Sequence, residues 1–440
     1  MRCVTATAPR STLGDLLVIE GGTPLSGRVQ VGGNKNGALP IIAACLLTEH
    51  ECVIENVPRI RDVEVMAELV GSTGAEVEWL DRNTLRIKAA GAITPAIDRE
   101  LSVRIRASIL LAGPLLARCG EVLVPPPGGD VIGRRRIDTH LHAFAALGAD
   151  VEVERDFTLR APDGLTGTRF FMDEPSVTAT ENAVMAAVLA KGDTTLINAA
   201  CEPHVQDLCR FLVAMGAEID GIGSNVLCIH GRASLGGARH RIGPDHIEVA
   251  SFIGLAAVTR GELVIEDVEP EDLHPVVHGF ERLGVRIELD GRTLTVPDDQ
   301  DLTIRDDFGG QVPKLEDGPW PQFPADLTSI AVAVATQAKG TILIYEKMFE
   351  NRLVFTDKLV SMGARIVLCD PHRAIVTGPA QLVGERVESP DIRAGMAMLI
   401  AALAAKGTTT IGNVGQIDRG YERIDERLRG LGARIERISG

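Results

Sequence analysis

Hydrophobic and polar positions along the chain follow two patterns that alternate with each other. The first pattern is an alanine- and leucine-rich run, a short break and then a β-branched segment. It occurs six times, for example as GMAMLIAALAAKGTTTIGNV. Because such a run is apolar on nearly every side, it predicts a buried helix followed by a strand. The second pattern is a glycine followed by β-branched residues, which predicts the end of a helix and the start of a strand. It occurs around Gly74, Gly148, Gly216, Gly284, Gly363 and Gly432.

Together the two patterns predict six copies of a helix–strand–helix–strand unit with a period of roughly 70 residues. We expect the first helix of each unit to be buried, and the second, as at 62–72 or 425–430, to be amphipathic and on the outside. Six units divide most simply into two α/β domains of three units each, with the boundary near the glycine-rich and basic segment 235–245. Pockets favour domain interfaces, so a ligand is expected between the two halves.

Length, composition and charge narrow the possible functions. With 440 residues, of which 45% are hydrophobic, the chain is long enough for two or three domains with large buried cores. Its net charge of −15 argues against general binding to nucleic acid or to an acidic membrane surface. No apolar run reaches the roughly 18 residues that span a bilayer. Residues 1–15 lack the apolar core of a secretory signal, and we expect them to be a loose tail.

Cysteine and histidine positions do not indicate a metal site or a disulfide framework. The eight cysteines form no CxxC pair and several lie in apolar runs, as expected for reduced thiols in a cytoplasmic protein. His140 and His142, like His274 and His278, are close in sequence but lack an obvious third ligand. We therefore expect no metal. We also expect no organic cofactor and no obligatory protein partner.

The segment 125–136, PPPGGDVIGRRR, is predicted to be a loop, because its prolines and glycines disfavour a helix or a central strand. It places the carboxylate of Asp130 close to three arginines, Arg134, Arg135 and Arg136. An acidic protein that binds an anion needs such local arginines, and an exposed mixed-charge turn is the alternative interpretation.

A longer stretch, 306–326, interrupts the repeat with the sequence DDFGGQVPKLEDGPWPQFPAD. It lengthens the interval from Gly284 to Gly363 by about ten residues compared with the others, and long ordered loops are often functional. We expect an ordered loop here, near the site.

Polar residues at predicted helix starts are further candidates. Lys35 and Asn36 in GGNKNGALP would place a cation and an amide at a helix N-terminus, where an anion is favoured, although a capped helix with a solvated lysine is the alternative. Arg106, at the start of a very apolar helix, is either salt-bridged or faces a ligand. Helix N-capping is the alternative to a functional role for Ser176, Asp326 and Asp391. A basic cleft would result if the fold brought together Lys35, Arg135, Arg352, Arg393 and Arg419.

Six segments in this order resemble the enolpyruvyl transferase family, which includes EPSP synthase. They are PLSGRVQVGGNKNGALP, RIRAS, PPGGDVIGRRRID, DGPWPQFPAD, FENR and IDRGYERID. The resemblance runs from about Leu17 to the C-terminus and implies the family's α/β fold, a two-domain inside-out α/β barrel with three repeats per domain. In the family the N-terminal strand returns to the C-terminal domain. The implied domains are therefore 1–34 with 244–440, and 35–243, with the active site in the cleft between them.

The resemblance implies transfer of the enolpyruvyl group of phosphoenolpyruvate to the 3-hydroxyl of UDP-N-acetylglucosamine with release of phosphate, the first committed step of peptidoglycan synthesis. Members with another acceptor use UMP or shikimate 3-phosphate. The uridine-type motifs argue against shikimate, whereas UMP remains an alternative. A silent paralogue that regulates the pathway is an alternative of another class. Against it, the chain retains Lys35, Asp130, Arg135, Asp326 and Arg419.

The resemblance also implies roles for individual residues. Lys35, Arg135 and Arg419 would hold phosphoenolpyruvate, Asp326 would be the base for the 3-hydroxyl, and Asp130 would be the acid on a loop that closes over both substrates. The residues expected to act in catalysis are thus Lys35, Asp130, Asp326 and Arg419. Further substrate contacts are implied for Asn36, Arg106, Ser176, Val177, Met348, Arg352, Asp391 and Arg393, and for the backbone of Arg136, Ile137, Asp138 and Thr139.

The chain departs from its family at two positions. Asp130 stands where many members have cysteine, and both groups can deliver a proton, so we expect activity. A carboxylate is a far poorer nucleophile than a thiolate. We therefore expect resistance to fosfomycin, the epoxide that alkylates the family's loop cysteine. Glu174 stands where some relatives have a lysine near the nucleotide, so uridine recognition is expected to differ in detail.

Overall fold

A computed structural model describes residues 14–130 and 132–439, so most of the expected tail at 1–15 lies outside the described residues. The helices are α1 (Lys35–Ala44), α2 (Arg61–Ser72), α3 (Arg99–Ser102), α4 (Ala112–Cys119), α5 (Asp138–Ala146), α6 (Val177–Ala187), α7 (Pro203–Ala214), α8 (His246–Thr259), α9 (His274–Arg282), α10 (Thr328–Ala335), α11 (Thr356–Ser361), α12 (Ile392–Ala404) and α13 (Ile424–Gly430). Short 3₁₀ helices lie at Cys45–Leu47, Arg106–Leu111, Pro270–Asp272, Ala325–Leu327, Arg352–Phe355 and Val414–Arg419.

The strands are mostly three to six residues long. They are β1 (Leu16–Glu20), β2 (Gly27–Gln30), β3 (Glu51–Glu55), β4 (Glu76–Trp79), β5 (Leu85–Lys88), β6 (Glu121–Val124), β7 (Asp150–Val153), β8 (Phe157–Arg160), β9 (Arg169–Phe171), β10 (Asp193–Ile197), β11 (Glu218–Asp220), β12 (Val226–His230), β13 (Arg239–Arg241), β14 (Leu263–Glu266), β15 (Glu288–Asp290), β16 (Thr293–Val296), β17 (Lys314–Glu316), β18 (Gly340–Tyr345), β19 (Arg365–Asp370), β20 (Arg373–Gly378), β21 (Arg386–Glu388), β22 (Thr408–Gly412) and β23 (Arg434–Ile438).

Within the described residues, the strands form six small sheets. Their orders are β13-β3-β5-β4, β6-β8-β7, β11-β12-β10-β9, β15-β16-β14-β2, β17-β18-β20-β19 and β21-β22-β1-β23. In five sheets the strand that follows an apolar helix has a parallel neighbour on one side and an antiparallel neighbour on the other. In the three-stranded sheet, a single parallel bridge from Ala96 to Leu123 takes the place of the parallel strand.

The local patterns correspond to elements of the structure. Each apolar run contains a helix (α1, α4, α6, α8, α10 or α12), and every residue of α8 and α10 is buried. The six glycines of the second pattern have φ between 80° and 102°. Glycine adopts this left-handed conformation without a steric penalty, so a helix can end there and turn into the next strand.

Two features differ from the sequence prediction. Five of the six units contain an additional short strand that completes a hairpin, such as β5 beside β4, and in the sixth unit β1 takes this place. These additional strands do not follow an apolar run or a helix-ending glycine, the two signals by which strands were predicted. The stretch 306–326 is not a loop throughout, because it includes β17, which pairs in parallel with β18.

The buried apolar residues form two separate cores. One core contains residues from 17–31 and 247–435, and the other contains residues from 38–242. The first two strands belong to the former, since β1 lies between β22 and β23 and β2 pairs with β14. None of the helices in the described residues has the length and apolar character needed to cross a membrane.

Candidate active site

A cavity of about 270 Å³ lies between the two cores and is lined by residues of both. Most of the predicted site residues contribute to its wall: Lys35, Asn36, Arg106, Asp130, Arg135, Val177, Asp326, Met348, Arg352, Asp391, Arg393 and Arg419. The fold therefore assembles the basic cleft, whose members are separated by up to several hundred residues in sequence. Five predicted residues do not line the cavity: Arg136, Ile137, Asp138, Thr139 and Ser176.

A buried carboxylate, Asp62, joins cations from the two halves. Lys35 Nζ lies 2.9 Å from Asp62 Oδ2, and Arg419 Nε donates to Asp62 Oδ1 at 2.8 Å. Burial raises the pKa of Asp62, but Lys35 and Arg419 outweigh it, and the net pKa is lowered. The sequence prediction missed this role. An acid at the start of an amphipathic helix is ordinary, because it complements the helix dipole.

Replacement of Asp62 by alanine is expected to lower the free energy of unfolding by about 3 kcal/mol, because Lys35 and Arg419 would stay largely buried without their shared counterion. Denaturant unfolding measures this loss. Glu266→Ala is the matched control, because it breaks an exposed ion pair with Arg28 and should cost at most about 1 kcal/mol. Equal losses in the two variants would contradict a structural role for the Asp62 network.

The predicted loop is irregular at all its described residues, 125–130 and 132–136, and it reaches across to the other half of the molecule. The Asp130 carboxylate accepts a hydrogen bond from Arg419 Nη1. Ile132 O accepts from the Asn351 backbone at 3.1 Å, and the Arg134 backbone donates to a Glu350 carboxylate oxygen at 3.1 Å. These contacts hold the loop against the opposite half of the molecule, with Asp130 engaged as an ion-pair acceptor.

Two loop glycines permit this close approach. A Cβ atom on Gly128 would overlap the carbonyl oxygen of Val103. Gly133 has φ +138°, and a Cβ atom there would overlap the Glu350 carboxylate. Any larger residue at these positions would displace the loop from its seat.

Arg106 and Arg135 present different surroundings. Arg106 Nη2 donates to the backbone carbonyls of Arg135 and Arg136, so it supports the end of the loop as well as lining the cavity. Burial, with a smaller contribution from Arg135, lowers the pKa of Arg106 to about 10. The half-buried guanidinium of Arg135 has no carboxylate within ion-pair distance among residues 14–130 and 132–439, and burial lowers its pKa. A cation in that state is well suited to receive an anion.

Asp326 is clamped between two buried arginines. Arg352 Nη2 donates to Oδ1 at 3.1 Å, and Arg393 donates to Oδ2 from Nε at 3.1 Å and from Nη2 at 3.0 Å. Burial raises the pKa of Asp326, but Arg393, Arg352 and Lys35 together hold it well below its usual range. Asp326 lies within a 3₁₀ helix and does not cap it, so the N-capping interpretation is wrong at this position.

Arg352 is also approached by a second carboxyl group. Glu346 is fully buried, and its Oε2 lies 3.6 Å from Arg352 Nε. Burial raises the pKa of Glu346 to about 9 despite the opposing effect of Arg352. The pattern analysis did not single out Glu346, which follows directly on β18 as an isolated acid.

N-capping is correct for the other two candidates. Asp391 Oδ1 accepts from the backbone of Arg393 at 2.8 Å and of Ala394 at 2.9 Å, and Ser176 Oγ accepts from Ala179 at 3.4 Å. Asp391 lines the cavity while it caps α12, so the two roles coexist there.

The residues after the loop turn their side chains to other partners. Arg136 is exposed and pairs with Asp138. Ile137 is buried in the core, and Thr139 Oγ1 donates to Asp173 at 2.6 Å. The implied contacts at 136–139 concern the backbone, so these side-chain positions leave them as predictions.

The cavity wall also contains polar and aromatic residues that the sequence analysis did not select. They are Glu181, Glu202, His204, His246 and Trp320. The sequence does contain an indication for Glu181, which is a carboxyl group within an otherwise apolar helix. Such a group is costly to bury without a partner, so its presence suggests a function. Across residues 14–130 and 132–439, no three histidine, cysteine, aspartate or glutamate side chains are arranged so that they could hold a metal ion.

Comparisons with known proteins agree with this arrangement. A family model described as EPSP synthase (3-phosphoshikimate 1-carboxyvinyltransferase) matches residues 19–428. The UDP-N-acetylglucosamine 1-carboxyvinyltransferase of Bradyrhizobium diazoefficiens is 63% identical over 421 residues, which is 96% of this chain and 97% of that protein. The protein of the same name from Treponema denticola is 54% identical over 419 residues, covering 95% of this chain and 98% of its own length.

Solved structures show the same fold. The enolpyruvyl transferase NikO from Streptomyces tendae matches with a TM-score of 0.86 at 25% identity, covering 97% of this chain and all of that one. An EPSP synthase from Acinetobacter baumannii matches with a TM-score of 0.75 at 17% identity over 97% of this chain and the whole of its own, a likeness that concerns the fold alone. The chain therefore belongs to the EPSP synthase family of enolpyruvyl transferases.

Proposed function

We propose that this protein transfers the enolpyruvyl group of phosphoenolpyruvate to the 3-hydroxyl of UDP-N-acetylglucosamine and releases phosphate. The observation that carries the proposal is the cavity in which Lys35, Arg135 and Arg419 lie together with Asp326 and the loop carboxylate Asp130. Relatives with 54% and 63% identity over almost the whole chain carry the name of this activity, which supports the choice of acceptor. The reaction is the first committed step of peptidoglycan synthesis, and it would take place in the cytoplasm.

We also propose that the two cores correspond to two domains. One domain would contain the described residues up to 34 together with 244–439, and the other would contain 35–243. Each would be an inside-out α/β barrel of three repeats, with one small sheet per repeat. The separate cores and the pairing of β1 and β2 with strands of the C-terminal half support this division.

Phosphoenolpyruvate would bind through exchange of ion pairs. Its phosphate and carboxylate need fixed cations, and arginine provides forked donors for both groups. Arg135 has no carboxylate partner in the described part of the chain, whereas Arg419 is held by Asp62 and Asp130. An anion that binds Arg419 competes with Asp130 and releases this carboxylate, which can then take up a proton and act as an acid.

The addition step needs an acid and a base at opposite ends of the forming bond. Asp130 would deliver a proton to the methylene carbon of phosphoenolpyruvate, while the 3-hydroxyl oxygen bonds to the neighbouring carbon and Asp326 takes the hydroxyl proton. Loss of phosphate and of a proton from the new methyl group then restores the double bond in the product. The surrounding arginines stabilise negative charge throughout, and loop closure excludes water.

Asp326 is a weak base while Arg352 and Arg393 clamp it, because both arginines stabilise its ionised form. A substrate anion beside these arginines would share their positive charge. The proton affinity of Asp326 would then rise when the site is occupied, so it would become an effective base only with substrate bound.

Gly133→Ala is expected to lower kcat more than about tenfold, because the added methyl group would overlap Glu350 and keep the loop from closing. Steady-state kinetics and a melting curve would separate this effect from loss of stability. Gly309→Ala is the control. Gly309 also has a positive φ, +79°, but a Cβ atom there meets no neighbour. Wild-type kcat in Gly133→Ala would show that the seated loop is not required.

Phosphate release with phosphoenolpyruvate, and with UDP-N-acetylglucosamine or UMP in separate reactions, tests the proposed function. Release with the UDP-sugar alone is the expected result. Release with UMP alone would assign a different acceptor to the same chemistry. Silence with both acceptors would contradict the enzymatic proposal and favour a regulatory paralogue.

A further inference from the structure

One wall of the cavity carries polar groups that the proposed reaction does not use. Glu181 of α6, Glu202 at the start of α7 and His204 within α7 all line the cavity. Each has a buried polar atom that finds no hydrogen-bond partner among the described residues: Glu181 Oε1, Glu202 Oε2 and His204 Nδ1. Glu181 is 1% exposed and His204 is 6% exposed. Buried polar atoms nearly always have a partner in a working protein, so three orphans on one cavity wall indicate an absent ligand.

The wall is held rigidly by residues from both halves of the molecule. The ring of His204 stacks on that of His246, with centroids 6.3 Å apart and 7° between the planes. The indole of Trp320 meets His246 edge-on at 5.8 Å, and Cys201 Sγ donates to the Trp320 carbonyl at 3.5 Å. These contacts position the His204 ring before any ligand enters, and such preorganisation favours specific recognition.

The wall differs in charge from the loop side of the cavity. Burial raises the pKa of Glu181 and of Glu202, and it lowers the pKa of His204 to about 3. Burial therefore favours the protonated form of both carboxyl groups and the neutral form of the imidazole, and these forms offer hydrogen-bond donors and acceptors without charge. The loop side, by contrast, presents the cations Arg135 and Arg419.

This chemistry selects a hydroxyl-bearing group over an anion. A hydroxyl donates one hydrogen bond and accepts others, so it can satisfy both a carboxylic acid and an imidazole nitrogen. A phosphate or carboxylate only accepts, so it cannot satisfy an acceptor atom of this wall.

We propose that Glu181, Glu202 and His204 form a subsite for hydroxyls of the acceptor's uncharged sugar ring other than the 3-hydroxyl that Asp326 would activate. The inference rests on the proposed function, since it assigns the wall to the acceptor of that reaction. The same wall would reject an acceptor whose ring carries a phosphate in place of these hydroxyls.

The test compares wild type with Glu181→Leu and Glu202→Leu, using UDP-N-acetylglucosamine and its 4-deoxy and 6-deoxy analogues. We expect the wild type to lose at least about tenfold in kcat/KM with one of the deoxy compounds, because a buried group is left unpaired. Each leucine variant should lose a similar factor with the natural acceptor, mainly through KM. In the leucine variant, the loss in kcat/KM on going from the natural acceptor to the deoxy compound (the deoxy penalty) should then fall below about threefold. The reason is that the substitution and the missing hydroxyl remove the same interaction.

Glu181→Gln and Glu202→Gln provide a second readout. An amide donates and accepts like a carboxylic acid, so these variants should keep KM within about threefold of wild type if the neutral form is the one that binds. Thr194→Val is the matched control, because Thr194 also has a buried hydroxyl without a partner but does not line the cavity. Its KM should equal that of wild type.

Titration calorimetry with UDP-N-acetylglucosamine and its two deoxy analogues measures binding separately from turnover, so the subsite can be tested even if a variant is inactive. Leucine variants that bind UDP-N-acetylglucosamine as tightly as wild type, or a deoxy penalty that they leave unchanged, would overturn the subsite while leaving the proposed function intact. A wild type that turns over no UDP-sugar would instead overturn the proposed function. Binding of the natural and deoxy compounds to wild type and to Glu181→Leu would then still decide whether the wall recognises hydroxyls.

Discussion

Asp326→Asn is expected to reduce kcat by about a thousandfold, because it removes the group that accepts the proton of the acceptor hydroxyl. Asparagine has nearly the same shape, but its single amide oxygen can accept from only one of the two arginines, because Arg352 and Arg393 bond to different oxygens of Asp326. Some loss of stability is therefore expected as well. Asparagine cannot take up a proton. The measurement is phosphate release with both substrates at saturation, where a loss of kcat reports the chemical step rather than binding.

Two further measurements make the Asp326 result decisive. A melting curve and a calorimetric titration with UDP-N-acetylglucosamine would show that the variant is folded and binds the acceptor. Asp272→Asn is the control, because Asp272 is a partly buried carboxyl group with a raised pKa, near 6, caused mainly by burial, and it lines a different cavity. Its kcat should remain unchanged. A kcat within tenfold of wild type in Asp326→Asn would place the base elsewhere.

Asp130→Cys is expected to make the enzyme, which we predict to be resistant to fosfomycin, open to irreversible inactivation by this epoxide. A thiolate attacks an epoxide readily, whereas a carboxylate is a poor nucleophile. Position 130 lies against the guanidinium of Arg419, and a nearby cation lowers the pKa of a cysteine and increases its thiolate fraction. Turnover should persist in the variant, because a thiol also delivers a proton. The measurement is residual activity against time of incubation with the compound.

The control for this experiment is Asp130→Asn, which can neither donate a proton nor be alkylated. It should lose at least about a hundredfold in kcat and gain no covalent adduct. Mass spectrometry of Asp130→Cys should locate the adduct at position 130 and not at Cys201, the half-buried thiol beside Trp320. Irreversible loss of activity in the wild type would show that our interpretation of Asp130 is wrong.

Residue patterns predicted the structure best where a feature depends only on residues that are close together in the sequence. The apolar runs predicted α8 and α12, and the proline- and glycine-rich segment 125–136 predicted the loop. Helix termination at Gly363 depends on one residue's tolerance of φ near +102°. The short hairpin strands, such as β5, escaped notice because their stability comes from pairing with other strands rather than from their own composition.

The candidate site illustrates the limit of such patterns. Lys35, Asp130, Asp326 and Arg419 were selected through resemblance to a family, and the structure brings all four to one cavity. N-capping was the expected alternative for Asp326, whereas the fold surrounds it with two arginines, one of them 67 positions away. Nothing near Asp62 in the sequence distinguishes it from other acids at helix starts.

The sequence by itself determined the positions of the buried helices, the left-handed glycines that end helices, the loop at 125–136 and the family. These depend on the conformational preferences of neighbouring residues and on a shared order of motifs. Only the tertiary structure decided that Asp62 joins Lys35 to Arg419, which lies 357 positions after Asp62 in the chain. Only the tertiary structure decided, too, that Glu181 and His204 line the cavity and that each has a buried polar atom with no partner among the described residues. The reason is physical: ion-pair and desolvation energies depend on distance and burial in space, which separation along the chain does not reveal.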